Sequence, residues 1–192
     1  MQHPNMLGSP ERIQKLKQET LHLPSWDLTI RQQCDLELLL NGGFAPLKGF
    51  MDSKDYARVV KDMRLADGTL WPIPIVLDVP TAFVNNVSHG QRIVLRDQEG
   101  VALAILTVCD SWTPDKKQEA TSVYGTTDTI HPGVAALFND THDVYLGGEV
   151  AQWRQYFYFI ASLEVLVEPG RHFASRGYFY SHHQVGVGRG AA

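Results

Sequence analysis

The spacing of the apolar residues changes at about residue 71, and this change most strongly limits the folds open to the chain. Before it, Tyr56, Val59, Val60 and Met63 recur at i, i+3, i+4 and i+7, the spacing of one helix face. After it, short apolar runs are bounded by proline, glycine and polar turns, as in β-strands. The sequence therefore predicts helices in the first third of the chain and a small sheet in the rest.

The helix predicted over residues 31–40 has signals at both ends. Thr29 and Gln32 match a capping box, in which each residue's side chain accepts a hydrogen bond from the other's backbone N–H. Asn41-Gly42-Gly43 supplies the left-handed turn that ends many helices. Arg31 lies unfavourably close to the positive end of the helix dipole, which predicts a carboxylate partner, most simply in a structural salt bridge.

Other elements have weaker signals. Pro10 can open a helix that runs to about Gln18, Asp52 or Ser53 can start the helix that ends near Met63, and Pro132 can open a short fourth helix. The strand predictions cover Trp71–Val79, Asp143–Leu146 with a stop at Gly147-Gly148, Ile160–Val167, and a hairpin of Arg92–Arg96 with Val101–Val108. Short strands with helices at the ends predict an α+β domain on a small twisted sheet or a partly closed barrel.

Charge and composition argue against several classes of protein. The chain has 17 Lys and Arg against 21 Asp and Glu, a formal net charge of −4, whereas a protein that grips nucleic acid phosphates needs basic residues in excess on one face. No apolar run approaches the roughly 20 residues needed to span a bilayer, and the N-terminus lacks a leader pattern. We therefore expect a cytoplasmic protein with no membrane contact, in which Cys34 and Cys109 are buried thiols.

The usual local signatures of catalysis and of metal or cofactor binding are absent. We find no phosphate-binding loop, no His-Glu-x-x-His and no Gly-x-Ser-x-Gly. The eight histidines include no i, i+3 or i, i+4 pair, so no two of them share a helix face as metal ligands. The sequence predicts no catalytic residue, no cofactor and no metal.

Three short segments could bind a small anionic ligand, although each also has a structural interpretation. The backbone N–H groups of Asn41, Gly42 and Gly43 could face an anion, or simply end a helix. His131 could stand beside an anion at a helix N-terminus, or cap that helix or pack on a neighbour. Arg64 precedes a turn at Asp67-Gly68 and could bind the same ligand.

Several longer stretches, taken together and in order, resemble the N-terminal domain of ATP sulfurylase, or sulfate adenylyltransferase. The resemblance covers about Leu23 to Gly148. It rests on residues 23–29, 31–37, 40–51 and 63–75, with the sequences LPSWDLT, RQQCDLE, LNGGFAPLKGFM and MRLADGTLWPIPI, and on HPGV at 131–134 and YLGG at 145–148.

The resemblance implies a PUA-like fold, a pseudo-barrel of mixed short strands with peripheral helices. In the family a second domain catalyses the attack of sulfate on the α-phosphorus of ATP, using Gln-x-Arg-Asn-Pro, His-x-x-His and Gly-Arg-Asp-His segments. None of the three is present in these 192 residues. Residues 1–8 are predicted from the sequence to be a disordered tail. The resemblance implies a PUA-like domain at 9–170 and a divergent segment at 171–192 where the catalytic domain would begin, in a natural stand-alone or a truncated relative.

We therefore expect a non-catalytic structural or assembly module of sulfate activation. The alternative is a stand-alone PUA-like module that binds RNA or a small anionic ligand, with fold analogy as its only support for RNA. Aromatic residues are dense between Trp153 and Tyr180. They predict either a homodimer or contact with a separate catalytic chain, unless the segment folds back on its own domain.

Overall fold

The computed structural model of the chain describes residues 10–152. Their contacts divide them into two compact units, the first built from residues 10–57, 74–113 and 142–152 and the second from 58–73 and 114–141. Several predictions lie outside the described residues: the domain boundaries at residues 8 and 170, the Ile160–Val167 strand and the Trp153–Tyr180 aromatic segment.

The described residues form six strands and seven helical segments. The strands are β1 Ser25–Asp27, β2 Gly49–Phe50, β3 Leu77–Val79, β4 Arg92–Arg96, β5 Ala102–Trp112 and β6 Val144–Gln152. The α-helices are α1 Pro10–Glu19, α2 Ile30–Leu40, α3 Ser53–Asp62, α4 Thr81–Val84, α5 Lys116–Glu119 and α6 Pro132–Asn139, and a π-helix spans Ala120–Tyr124.

All six strands belong to one mixed sheet in the first unit. Its order is β1-β4-β5-β6-β2, and β3 also pairs with β6. β1 and β4 are parallel, and every other pair is antiparallel. The α+β class with mixed short strands is therefore confirmed, as is the β4–β5 hairpin, whose turn closes with a hydrogen bond from the Asp97 N–H to the Val101 carbonyl (3.0 Å).

The core of the first unit lies on this sheet. Leu77, Ile93, Ile105 and Leu146, from four different strands, have no exposed surface. Near the start of α3, the Tyr56 ring packs against Trp112 of β5 and Tyr145 of β6, with ring centroids 5.4 and 5.8 Å apart. The beginning of α3 is thereby anchored on the sheet.

The stop predicted at Gly147-Gly148 is wrong, because β6 continues through both glycines to Gln152. A Cβ on Gly148 would lie 2.2 Å from the Thr107 carbonyl oxygen, and one on Gly147 would lie 2.4 Å from the carbonyl oxygen of Met51. The absent side chains thus let neighbouring backbone approach the strand closely instead of ending it.

Three further predictions need correction. Met63 lies beyond α3, with a φ of 51° and 53% of its surface exposed, so it is not part of the buried helix face. The strand predicted from Trp71 begins only at Leu77, since Pro72 and Pro74 cannot donate ladder hydrogen bonds. Neither predicted buried thiol is fully buried: Cys34 is half-buried and Cys109 is exposed. Cys109 is the extra residue of a β-bulge where Val108 pairs with Gly148 and Asp110 with Gly147.

The second unit contains a short hairpin and a helical segment. In the hairpin Arg64 bridges Leu70, and the Leu65 N–H donates to the Thr69 carbonyl oxygen (2.9 Å). In the helical segment Ala120, Val134 and Leu137 form a small buried cluster. No helix within residues 10–152 is long and apolar enough to cross a membrane.

Candidate functional site

A buried polar network surrounds Gln32 at the start of α2. The predicted capping box is confirmed: the Gln32 N–H donates to Thr29 Oγ1 (3.3 Å), and the Thr29 N–H donates to Gln32 Oε1 (3.1 Å). That oxygen also accepts from Trp26 Nε1 (3.1 Å), while Gln32 Nε2 donates to the carbonyl oxygen (2.7 Å) and Oδ1 (2.9 Å) of Asp78. One fully buried amide thereby joins α2 to β1 and β3.

Arg31 has the carboxylate partners that its position predicts. Its Nη1 lies 3.0 Å from Asp35 Oδ2, one helical turn along α2, and its Nη2 donates to Asp78 Oδ1 on β3. The second oxygen of Asp78 accepts from the His142 N–H (2.9 Å). Arg31, Asp35 and Asp78 thus form a structural salt bridge, in which the guanidinium and the two carboxylates are directed at each other.

Burial changes the acidity of two side chains on α2. Desolvation raises the pKa of Asp35 to about 6, with Arg31 opposing the rise and Asp78 adding to it. Desolvation, with the nearby carboxylates of Asp35 and Glu37, raises the pKa of the Cys34 thiol to about 12. Cys34 therefore stays a neutral thiol at physiological pH and is not an activated nucleophile.

The Asn41-Gly42-Gly43 segment ends α2, as its sequence predicts. Asn41 is the C-cap, and Gly42 has a φ of 81°. The Gly43 N–H, one of the donors considered for an anion, donates to Asn41 Oδ1 (2.8 Å). Anion binding by these three residues stays a prediction.

Arg64 belongs to the hairpin of the second unit. It is exposed, and its Nη1 donates to the Gly68 carbonyl oxygen (2.9 Å) across the turn. The turn is held further by Asp67, whose Oδ1 accepts from the Thr69 N–H (2.8 Å). The guanidinium thus has a local role, and its binding of a ligand stays a prediction.

His131 immediately precedes α6, also in the second unit. Its side chain makes no capping hydrogen bond, and its ring packs 5.1 Å from the Tyr124 ring. Gly133 makes room for that tyrosine, since a Cβ there would lie 2.6 Å from Tyr124 Cε1. The expectation that His131 packs on a neighbour is confirmed. Its buried Nδ1 has no hydrogen-bond partner among the described residues, and a ligand role stays a prediction.

The sequence interpretation missed two acidic residues that fix helix positions. Asp110 Oδ2 accepts from the Ser53 N–H at the start of α3 (3.0 Å), across 57 residues of sequence. Burial would raise the pKa of Asp110, but hydrogen bonds from Ser53 and Ser111 hold it below its ordinary value. No local pattern marks Asp110, whereas Asp78 could have been noticed as a lone acidic residue within an apolar strand.

A small cleft lies beside the bulge of β5. It has a volume of about 140 Å³ and is lined by Val87, His89, Val108, Asp110, Ser111 and Leu146. The Asp110 carboxylate in this cleft already accepts the hydrogen bond from the Ser53 N–H that holds the start of α3. Within residues 10–152, no three His, Cys, Asp or Glu residues are arranged to hold a metal ion.

Comparison with known proteins identifies similar domains. The family described as PUA-like domain matches residues 3–155. Sulfate adenylyltransferase of Saccharomyces cerevisiae is 51% identical over 125 residues, covering 65% of this chain and 24% of the relative. Sulfate adenylyltransferase of Schizosaccharomyces pombe is 43% identical over 179 residues, covering 92% of this chain and 34% of the relative.

A solved structure shows the same similarity in three dimensions. The hexameric APS kinase from Thiobacillus denitrificans superposes with a TM-score of 0.60 and 32% sequence identity, covering 92% of this chain and 31% of that one. The chain thus spans about a quarter to a third of the length of the proteins it matches. It belongs to the PUA-like domain family and is a relative of the N-terminal domain of sulfate adenylyltransferases.

Proposed function

We propose that the chain acts in sulfate activation as a structural or assembly module and does not itself convert ATP and sulfate into adenylyl sulfate and pyrophosphate. The observation that carries the proposal is 43–51% identity to sulfate adenylyltransferases combined with a match to only 24–34% of their length. The activity of those enzymes belongs to the whole proteins, and this chain corresponds to one part of them.

The chemistry of adenylyl transfer supports the same assignment. Charge develops on the phosphate oxygens during the transfer, so an enzyme needs convergent positive groups around the α-phosphorus. Among the described residues, four arginines are paired with carboxylates: Arg31, Arg58, Arg92 and Arg96. The family's three catalytic segments are also absent from the 192 residues.

A pyrophosphate-release assay tests the proposal directly. The purified chain, supplied with ATP, Mg²⁺ and sulfate, should release no pyrophosphate above background. The Saccharomyces cerevisiae sulfate adenylyltransferase serves as the positive control in the same buffer. Sulfate-dependent turnover that disappears when Arg64 or His131 is replaced by alanine would refute the proposal and would support the ligand role predicted for those residues.

The module's partner is proposed to be a second copy of this chain or a separate catalytic chain. The similar APS kinase is itself hexameric, so this fold occurs within an oligomer. Large apolar side chains are also exposed in the described residues, with Ile130 at 87%, Leu21 at 78% and Leu70 at 65%. Exposed side chains of this size are available for contacts between chains.

Light scattering at micromolar concentration tests self-association. A mass that rises with concentration supports a homodimer. A monomer mass that stays constant on dilution and concentration excludes it and leaves the separate catalytic chain, which co-elution with a sulfate adenylyltransferase catalytic domain would test.

The remaining parts of the proposal concern the domain boundaries, the setting and the rival function. A PUA-like domain over residues 9–170 is supported by the family match to residues 3–155. A cytoplasmic location stays a prediction that cell fractionation would test.

RNA binding is not favoured, because the curated relatives are named as sulfate adenylyltransferases and the net charge is −4.

A further inference from the structure

Two carboxylates share one guanidinium between α2 and β3. The Asp35 and Asp78 side chains are 11% and 1% exposed, and Arg31, which pairs with both, is 24% exposed. Two negative charges and one positive charge leave these three residues with a net negative charge in a poorly solvated place. Such a charge is costly, and uptake of one proton removes it.

The hydrogen bonds indicate which carboxyl takes up the proton. Asp78 accepts from three different residues: Arg31, Gln32 Nε2 (2.9 Å) and the His142 N–H (2.9 Å). Asp35 accepts from Arg31 Nη1 (3.0 Å) as its one described donor. Donors stabilise the ionised form of a carboxyl, so Asp35 is the less stabilised of the two anions.

The other groups near Asp35 do not supply a second positive charge. On α2 the neighbouring titratable groups are the Cys34 thiol and the Glu37 carboxylate, and neither can carry a positive charge. Strand β3 contributes Asp78, and the segment before β6 contributes the backbone N–H of His142. Among the described residues, Arg31 is thus the cation that acts on Asp35.

We propose that Asp35 is a pH-sensitive switch in the packing of α2 on β3: it takes up a proton in mildly acidic solution, and the folded protein becomes more stable. Protonation leaves Arg31 paired with Asp78 and neutralises the cluster. The direction follows from linkage, since a carboxyl that binds its proton more tightly in the folded chain than in the unfolded chain favours folding as the pH falls.

The size of the effect follows from the same linkage. Burial raises the pKa of Asp35 to about 6, from an ordinary value of 3.8. This difference increases the ratio of folded to unfolded protein about tenfold between roughly pH 7.5 and pH 5. The gain in folding stability is complete below pH 3.8, the ordinary pKa of the carboxyl, and is lost as the pH rises through about 6.

The test compares urea unfolding of the wild-type chain, Asp35→Asn and Asp62→Asn across this pH range. Asp35→Asn keeps a carbonyl oxygen for Arg31 but cannot titrate, so it should lose the roughly tenfold change. Asp62→Asn is the matched control, because Arg58 and Asp62 form the same i, i+4 pair through the same atoms (3.3 Å), with both side chains far more exposed. It should keep the wild-type pH dependence.

A direct titration keeps the proposal testable even if Asp35→Asn folds poorly. Carbon-13 NMR of the Asp35 carboxyl in the wild-type chain should show a midpoint near 6. A midpoint at or below 4, or the same pH dependence of unfolding in Asp35→Asn and the wild type, would overturn the proposal.

Discussion

Replacing Gln32 with methionine tests whether the buried amide holds α2 in place. Methionine has a similar length and shape, so the substitution removes the hydrogen bonds with little change in volume. The Gln32 side chain makes four hydrogen bonds. The two with Asp78 are fully buried, and the two with Trp26 and Thr29 are partly buried. A buried polar group left without a partner costs about 1–3 kcal/mol.

The expected loss of unfolding free energy is therefore about 3 kcal/mol, most of it from the carbonyl oxygen of Asp78, with a smaller part from the lost cap. Asp78 Oδ1 keeps its bond to Arg31, which limits the total. Thr29→Ala removes only the capping hydroxyl and should cost about 1 kcal/mol. The difference between the two losses measures what the tertiary network adds to the local cap.

The assay is urea unfolding followed by far-ultraviolet circular dichroism, since Trp26 contacts Gln32 and its fluorescence would change for a local reason. Gln33→Met is the matched control. It makes the same chemical change at the next position of α2, where no side-chain hydrogen bond joins the helix to β3 among the described contacts. A loss below about 1 kcal/mol for Gln32→Met, or one equal to that of Gln33→Met, would refute the reasoning.

Two further predictions concern the glycines and the thiols. Gly148→Ala should lower the free energy of unfolding in urea by more than about 3 kcal/mol, because its Cβ would lie 2.2 Å from the Thr107 carbonyl oxygen. Gly100→Ala is the comparison: Gly100 has a φ of 82° and open space around it, so the loss should be only about 1 kcal/mol. Equal losses would contradict this account of β6. In the native chain at mildly alkaline pH, iodoacetamide should modify Cys109 before Cys34. Burial raises the pKa of both thiols, that of Cys34 to about 12, but Cys109 is exposed whereas Cys34 is half-buried. Peptide mass spectrometry that found Cys34 modified first would contradict the structure.

The sequence alone determined the elements whose signals are local. The capping box of α2 is formed by residues three apart, and the β4–β5 hairpin by a turn between adjacent strands, so both could be predicted from nearby residues. The long motifs between Leu23 and Gly148 also sufficed to identify the family, because their residues and their order are read directly from the sequence.

Only the tertiary structure decided the features that depend on distant backbone or on burial. Gly147 and Gly148 read locally as a strand stop, yet they continue β6 because Met51 and Thr107 approach from distant parts of the sequence. Asp35 lies on a helix like any exposed acid, and nothing nearby in sequence shows that β3 brings a second carboxylate to the same arginine. Close approach and desolvation arise from segments far apart in the chain, so local spacing could not predict them.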